Sequence, residues 1–407
     1  MSNTEKTSRF AIILLATICI TYIVENFLRS AAGALTPVLI QELGVSYGAM
    51  GFLTSAFFLI YGLMQIPAGI LSDTYGPRKT IIWSTAVTVV GVFLFWVSKT
   101  YVVLAIAQFL VGIGSSTFYL NAVKLMLDWF PPSKKATAVG VMSAASGVGN
   151  SMAYLGFPLV YEAYNGWRTF YISMGAVLLG NWVMNLFLLK DKDTPTLAGS
   201  MDIRGLLSSV VTVFRNPTMA PYIMAYAIRS TNFVFSVWMT QFLIDAKGFT
   251  YLQSGQITSI GTLAAIPGCI FVAAISDRMR NRKKPLIFFS SLTFIAMAAF
   301  MFLPIGYPLW AFASLNALSY IAVGYWVLFF SMVPEVVSSK ESGIGLGIIN
   351  AVCTIGISVI SPIYGMLVDY TGSYTVSNIL VLVGALFVPI IMTRVEESYG
   401  GLIPKDL

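Results

Sequence analysis

Apolar residues run through this chain in long stretches separated by short polar punctuation, without the two-residue alternation of half-buried strands. The stretches fall at about 10–34, 48–71, 80–98, 101–126, 136–160 and 168–189 in the first half. They continue at about 217–244, 252–275, 285–303, 308–333, 343–367 and 375–393. Each is near the ~20 residues that a helix needs to cross a hydrocarbon core. The pattern predicts an all-α membrane protein with twelve transmembrane helices. A membrane β-barrel would instead show segments of about ten alternating residues. The longest polar stretch, 190–216, opens with KDKDTPT. It divides the chain into an expected N-terminal six-helix bundle (1–189), a linker (190–216) and a C-terminal six-helix bundle (217–407). Within the linker, 201–214 is apolar enough for a short helix lying along the membrane surface.

Composition agrees with the pattern. The 407 residues are 57% hydrophobic and only 10% charged, against roughly 25% charged in soluble domains. The first apolar stretch is too long for a signal peptide and carries Glu25 and Arg29, so it is expected to remain as the first helix. The net charge of +7 finds its explanation in the loops, and nucleic acid is not an expected partner. Eighteen of the 24 Lys and Arg fall in the tails, the linker and the loops of one side, against three (Lys99, Arg168, Lys247) on the other. The excess of positive charge predicts that both termini and the linker face the cytoplasm of a cell membrane.

The chain contains no histidine. That excludes a histidine proton relay, a Ser-His-Asp triad and His-ligated metal. No Gly-x-Ser-x-Gly or Gly-x-x-x-x-Gly-Lys-[Ser/Thr] segment occurs either, so neither an enzyme nor a nucleotide-driven pump is expected. No cofactor or metal is expected. Cys19, Cys269 and Cys353 lie in apolar stretches, never as CxxC, and read as buried, reduced, small hydrophobes.

A weak internal repeat is visible. Ser72-Asp73 recurs as Ser276-Asp277, an offset of 204, and Asn165-Gly166-Trp167 corresponds to Thr371-Gly372-Ser373, an offset of 206. Duplicated six-helix halves are an architecture of transporters, with the substrate site near the midplane.

Residues 69–79, GILSDTYGPRK, resemble the signature between helices 2 and 3 of the major facilitator superfamily. In that pattern Gly69 and Gly76 would allow close packing and a tight turn, and Asp73 and Arg78 would act in conformational cycling. SDRMRNRKK at 276–284 is a degenerate second copy. The resemblance implies the major facilitator fold of two pseudo-symmetric bundles. Narrower features resemble the anion:cation symporter family and, more distantly, the organophosphate antiporters. Arg29 precedes Pro37 by eight positions, Tyr61, Gln65 and Pro67 follow as Tyr-x-x-x-Gln-x-Pro, and Lys124 precedes Trp129-Phe130-Pro131. The chain departs from the symporters at Leu28, where they carry an acidic residue, and it lacks the antiporters' histidine. Gln108 stands where many proton-coupled members have Arg. The fifth stretch lacks the Gly-Pro-x-x-Gly-Gly of drug antiporters, and its small residues suffice for close helix packing.

Charged groups at membrane depth normally face a partner or a water-filled cavity. Glu25 and Arg29 are four residues apart, hence on one helix face. Arg229 lies early in the seventh stretch, within a turn of the position that the repeat pairs with Arg29. Planar guanidinium forks suit carboxylate or phosphate oxygens, although Glu25 and Arg29 can also pair with each other and Arg229 and Lys124 can snorkel to the surface. The candidate substrate residues are Arg29, Arg229, Tyr22, Tyr61, Lys124, Asn121, Tyr119 and Trp238, with Glu25 as the candidate proton-coupling group. These features predict a secondary transporter of a small organic anion, of carboxylate or sugar-acid type. It would act as a monomer in the lipid bilayer, by proton symport or anion exchange. The alternatives are efflux of a hydrophobic metabolite or drug and, in another class, a membrane sensor or intramembrane enzyme.

Overall fold

The computed structural model describes residues 3–131, 134–164, 166–191, 210–337 and 342–399, with the side chains of 3–9, 66, 73 and 136 excepted. It is helical throughout those residues, apart from short turns. In the first half the helices are α1 (Asn3–Ala34), α2 (Thr36–Leu43), α3 (Tyr47–Leu63), α4 (Gln65–Tyr75), α5 (Pro77–Val97), α6 (Tyr101–Ser116), α7 (Phe118–Trp129), α8 (Lys135–Tyr164) and α9 (Arg168–Leu188). The second half holds α10 (Ala220–Ile228), α11 (Ser230–Lys247), α12 (Tyr251–Met279), α13 (Lys283–Phe302), α14 (Leu309–Val323), α15 (Trp326–Val336), α16 (Ser342–Thr371) and α17 (Thr375–Thr393). Five of these boundaries are interruptions of one or two residues, at Leu35, Met64, Thr117, Arg229 and Gly324-Tyr325. Across them the helices join into twelve rods that match the twelve apolar stretches. Nine spans among the described residues are long and apolar enough to cross a membrane. Of the expected surface helix, 201–209 lies outside the described residues and 210–215 is helical.

The chain forms two compact units, Met1–Leu43 with Ala56–Ser200, and Gly44–Ser55 with Met201–Leu407. The short stretch 44–55, which opens α3, therefore clusters with the second unit. Within the first unit α1 runs along α8 and α5 along α6 and α9; within the second, α12 pairs with α14 and α13 with α17.

Small residues set the closest approaches. A Cβ on Gly149 would collide with the Ile23 carbonyl oxygen, and one on Gly356 would stand 3.1 Å from the Ala227 carbonyl oxygen and 2.5 Å from Ser230 Oγ. Gly149 and Gly356 are 207 positions apart and Ile23 and Ala227 are 204 apart, so the duplicated halves repeat this crossing. Gly69 behaves otherwise. An added Cβ there would meet only Leu120 Cδ2, at 4.0 Å. The close packing expected at Gly69 is not present, because α4 stands off from α7 at that turn.

Helix ends are closed by local and distant groups. Thr250 and Gln253 form a capping box on α12, and Gly248 ends α11 in the left-handed region (φ 74°). Gly76 makes the turn before α5 with φ 82°, a value that suits glycine. At the start of α5 the Arg78 backbone N–H donates to Asp191 Oδ1 at 2.9 Å. In the second unit Glu397 accepts from the Arg282 and Lys283 N–H groups at 2.7 and 3.1 Å, at the start of α13. Asp191 and Glu397 are 206 positions apart, matching the offset of the repeat. In each half a carboxylate just beyond the sixth rod closes the N-terminus of the third, where exposed N–H groups favour negative charge.

Candidate functional site

In the first unit, α1 carries Tyr22, Glu25 and Arg29 on neighbouring turns of unbroken helix. The guanidinium of Arg29 lies 5.3 Å from the Phe58 ring centroid and 5.5 Å from that of Tyr61, both on α3. Such ring faces attract a cation at membrane depth. Tyr61 is itself stacked on Phe57 at 5.7 Å. Tyr22 packs between Phe118 at 5.9 Å and Tyr119 at 5.7 Å. The structure thus brings Tyr22, Arg29, Tyr61 and Tyr119 into one aromatic-walled neighbourhood.

Glu25 is 3% exposed, and its Oε1 has no hydrogen-bond partner among the described residues. The ion pairs found among those residues are Arg168–Glu42, Arg282–Asp277 and Arg282–Glu335, so Glu25 does not enter one. Buried polar atoms are normally satisfied, and this carboxyl oxygen shares its lack of a partner with other buried atoms such as Gln108 Nε2 and Asn121 Oδ1. Asn26, beside it, donates to the Tyr22 carbonyl at 2.8 Å, and Ser30 donates to Asn150 at 2.8 Å, tying α1 to α8.

The remaining first-unit candidates have other attachments. Asn121 is fully buried and donates to the Thr117 carbonyl at 2.7 Å, across the α6–α7 interruption. Lys124 donates to Ser72 Oγ at 2.8 Å, next to the 69–79 motif. Arg78 reaches the Leu186 carbonyl through Nη2 at 2.9 Å. The side chain of Asp73 lies outside the described residues.

In the second unit Arg229 occupies the interruption between α10 and α11. The N–H of Asn232 donates to the Arg229 carbonyl at 3.0 Å, a three-residue closure of the kind that marks hinges within helices. The Arg229 guanidinium lies 5.1 Å from the Tyr226 ring and donates through Nη1 toward Cys353 Sγ at 3.7 Å. Asn232 donates to the Tyr325 hydroxyl at 3.2 Å, and Tyr325 sits at the α14–α15 interruption. Arg229 is thus held by a ring and a thiol. Cys353 is buried, as expected, but acts as a polar neighbour of a cation and not merely as a small hydrophobe. Cys19 and Cys269 are only partly buried, and all three are free thiols.

Trp238 stands apart from Arg229, nine residues and about 13 Å further along the helix axis. It donates to Ser361 Oγ at 3.1 Å and stacks on Tyr364 at 5.4 Å. Close to it is a polar cluster that nothing in the apolar pattern signals. Asp245 accepts from the hydroxyls of Tyr47 at 2.8 Å and Tyr374 at 2.6 Å and from Gln241 at 2.8 Å. Asp369 accepts from the backbone N–H groups of Tyr47 at 3.0 Å and Gly48 at 2.7 Å, capping α3. Burial, followed by the bond to Asp245, holds the Tyr374 hydroxyl above the usual phenol range. At the other loop cluster, burial works against the charge on Arg282, but Asp277 and Glu335 outweigh it and hold the guanidinium above its ordinary value.

Comparison with known proteins adds a family context. The family model described as Major Facilitator Superfamily matches residues 18–361. The chain is 24% identical over 399 residues to the probable sulfoacetate transporter SauU of Cupriavidus necator, covering 92% of each. It is 25% identical over 401 residues to the probable galactarate/D-glucarate transporter GudP of Bacillus subtilis, covering 88% of this chain and 86% of the relative. Among solved structures it resembles a bacterial homolog of the human lysosomal transporter Spinster, solved inward-facing and unoccupied. The TM-score is 0.75 at 14% identity, over 94% of this chain and 97% of that one.

Proposed function

Because the chain belongs to the Major Facilitator Superfamily, we propose that it is a secondary active transporter of a small organic anion, working by alternating access, with Arg29 as its anion clamp. The observation that carries this reading is the setting of Arg29. It lies deep in a membrane-spanning helix with the Phe58 and Tyr61 rings beside its guanidinium. Relatives named for sulfoacetate and for galactarate and glucarate, all organic anions, support it. Tyr22, Tyr61 and Tyr119 serve the same role as contacts, Arg229 is an anion-binding arginine of the second unit, and Glu25 is the group that carries a coupled proton. The protein works as a monomer in the cell's inner membrane, with both termini and the linker in the cytoplasm. Asp73, Gly76 and Arg78 serve the cycle of conformations, and Asn121 and Lys124 act beside the clamp through their attachments to Thr117 and Ser72.

The test is equilibrium binding of sulfoacetate and D-glucarate to purified wild type and Arg29→Lys, with melting temperature as the folding control. Lysine offers a point charge and cannot make two parallel bonds. Its affinity is expected to fall well over tenfold, a loss of about 2–5 kcal/mol in a desolvated site. A Lys variant that binds like wild type would remove Arg29 from the mechanism.

A further inference from the structure

We propose that the first unit holds a zwitterionic lipid headgroup, phosphoethanolamine, in a cleft at the end of its rods opposite Asn3. The cleft measures about 310 Å³. It opens between the end of α2 (Val38, Gln41, Glu42), Tyr161 of α8 and Trp167-Arg168 at the start of α9. That is room for about ten waters, near the lower bound of small-molecule sites. Gln41 is twelve residues beyond Arg29 on the first rod, about 18 Å of helical rise, so the cleft is separate from the clamp. Its walls are fixed. Trp167 is 2% exposed and packs on Phe95 at 5.6 Å and Tyr171 at 5.9 Å. The indole N–H donates to Glu42 Oε2 at 2.8 Å. Arg168 donates through Nη1 to Glu42 Oε1 at 2.5 Å and through Nη2 to the Ser98 carbonyl at 3.1 Å. Both charged side chains remain 35% exposed.

A carboxylate and a guanidinium side by side, each still reaching solvent, present opposite charges with no net charge. A plain anion is attracted by Arg168 and repelled by Glu42, and a plain cation the reverse. A zwitterion with an ammonium and an oxyanion on one short arm satisfies both, through charge-assisted hydrogen bonds. Each Glu42 oxygen accepts one bond in the contacts above, and a carboxylate has about four acceptor positions. The geometry selects a primary ammonium over a trimethylated one. A quaternary ammonium brings no N–H for Glu42. The Trp167 ring that would attract it is buried and already carries Arg168, whose guanidinium carbon lies 4.4 Å from the ring centroid. The source of the zwitterion is the bilayer. The cleft lies where rods end, and Tyr164, one turn after Tyr161, is 78% exposed, as aromatic side chains at a membrane interface are.

The test titrates the purified, delipidated full chain with phosphatidylethanolamine, phosphatidylcholine and phosphatidylglycerol of identical acyl chains. Retained lipid is counted by native mass spectrometry, with melting temperature as the folding control for each variant. Wild type is expected to retain phosphatidylethanolamine at least about fivefold more than either other lipid. Glu42→Gln keeps an acceptor for Trp167 but leaves Arg168 unopposed. The preference is then expected to pass to phosphatidylglycerol, an inversion that a purely structural pair would not produce. Gly166 borders the same cleft, and an added Cβ there meets only the Tyr164 carbonyl oxygen, at 3.7 Å. Gly166→Phe therefore fills the space with the charged pair intact, and is expected to remove the excess retention. Equal retention of the three lipids by wild type overturns the proposal. So does a phosphatidylethanolamine preference that persists in either variant melting like wild type. Where a variant melts low, competition on wild type by soluble phosphoethanolamine and phosphocholine decides, and equal competition overturns the proposal. Soluble phosphoethanolamine is expected to compete only weakly, and competition at the lipid's own concentration overturns the bilayer as the source.

Discussion

Arg29 and Arg229 are both arginines inside membrane-spanning rods, yet the chain accommodates them in opposite ways. Arg29 sits in unbroken helix, with the buried carboxyl of Glu25 one turn earlier. Arg229 is itself the break between two helices, and the groups that act on its charge are Tyr226, Cys353 and Tyr325. The first arrangement sets a guanidinium and a buried carboxyl one turn apart on a continuous rod, without an ion pair between them. The second places an arginine at a helix break, held by the Tyr226 ring and a thiol. One arginine therefore stands on a continuous rod and the other at a break in one.

Three outcomes bear on that contrast, from the largest effect to the smallest. Glu25→Gln is expected to abolish accumulation driven by a pH gradient while counterflow exchange in proteoliposomes persists. Only the Arg29 side has a carboxyl one turn away, so proton coupling should belong to it. Unchanged accumulation would erase the distinction.

Removing each charge should then move stability in different directions. Arg29→Met removes the guanidinium that the Phe58 and Tyr61 rings flank and should lower stability by about 0.5–2 kcal/mol. Arg229→Met removes a desolvated charge from a site of rings and should be neutral or stabilising. Melting curves of the two ligand-free variants decide this, and equal losses would mean that Arg229 is compensated as well as Arg29.

The two halves should behave alike where their geometry repeats. Asp191→Ala and Glu397→Ala each uncap the third rod of their half, at roughly 1 kcal/mol apiece. Urea or thermal denaturation in detergent would read it. A large effect at one site and none at the other would show that the repeated cap survives in only one half.

The rods, the motif loop and the position of Arg29 were legible because lipid demands long apolar helices and makes any charge within them conspicuous. The tight turn at Gly76 was likewise readable, since its positive φ follows from the motif. The interruptions at Thr117, Arg229 and Tyr325 were not. They carry neither proline nor, save for Gly324 beside Tyr325, glycine, and depend on tertiary neighbours such as Cys353. The Asp245 cluster joins residues up to 198 positions apart, a pairing that no local pattern encodes. Trp238 was grouped with Arg229 by proximity in sequence, but nine residues of helix carry it to a different set of partners. Gly69 followed the motif, whereas its packing depends on how closely α7 approaches.

The assignment of 44–55 to the second unit has a practical meaning for split-protein work. Cutting the chain in the linker would produce a fragment that ends before 201 and still owns the first turns of α3. The complementary fragment would retain Asp369 and Asp245 but lose the backbone N–H groups and the Tyr47 hydroxyl that they accept from. Neither piece would be a complete folding unit. Reassembly of co-expressed fragments would have to restore that exchange of one short strap before either half regained its native ends.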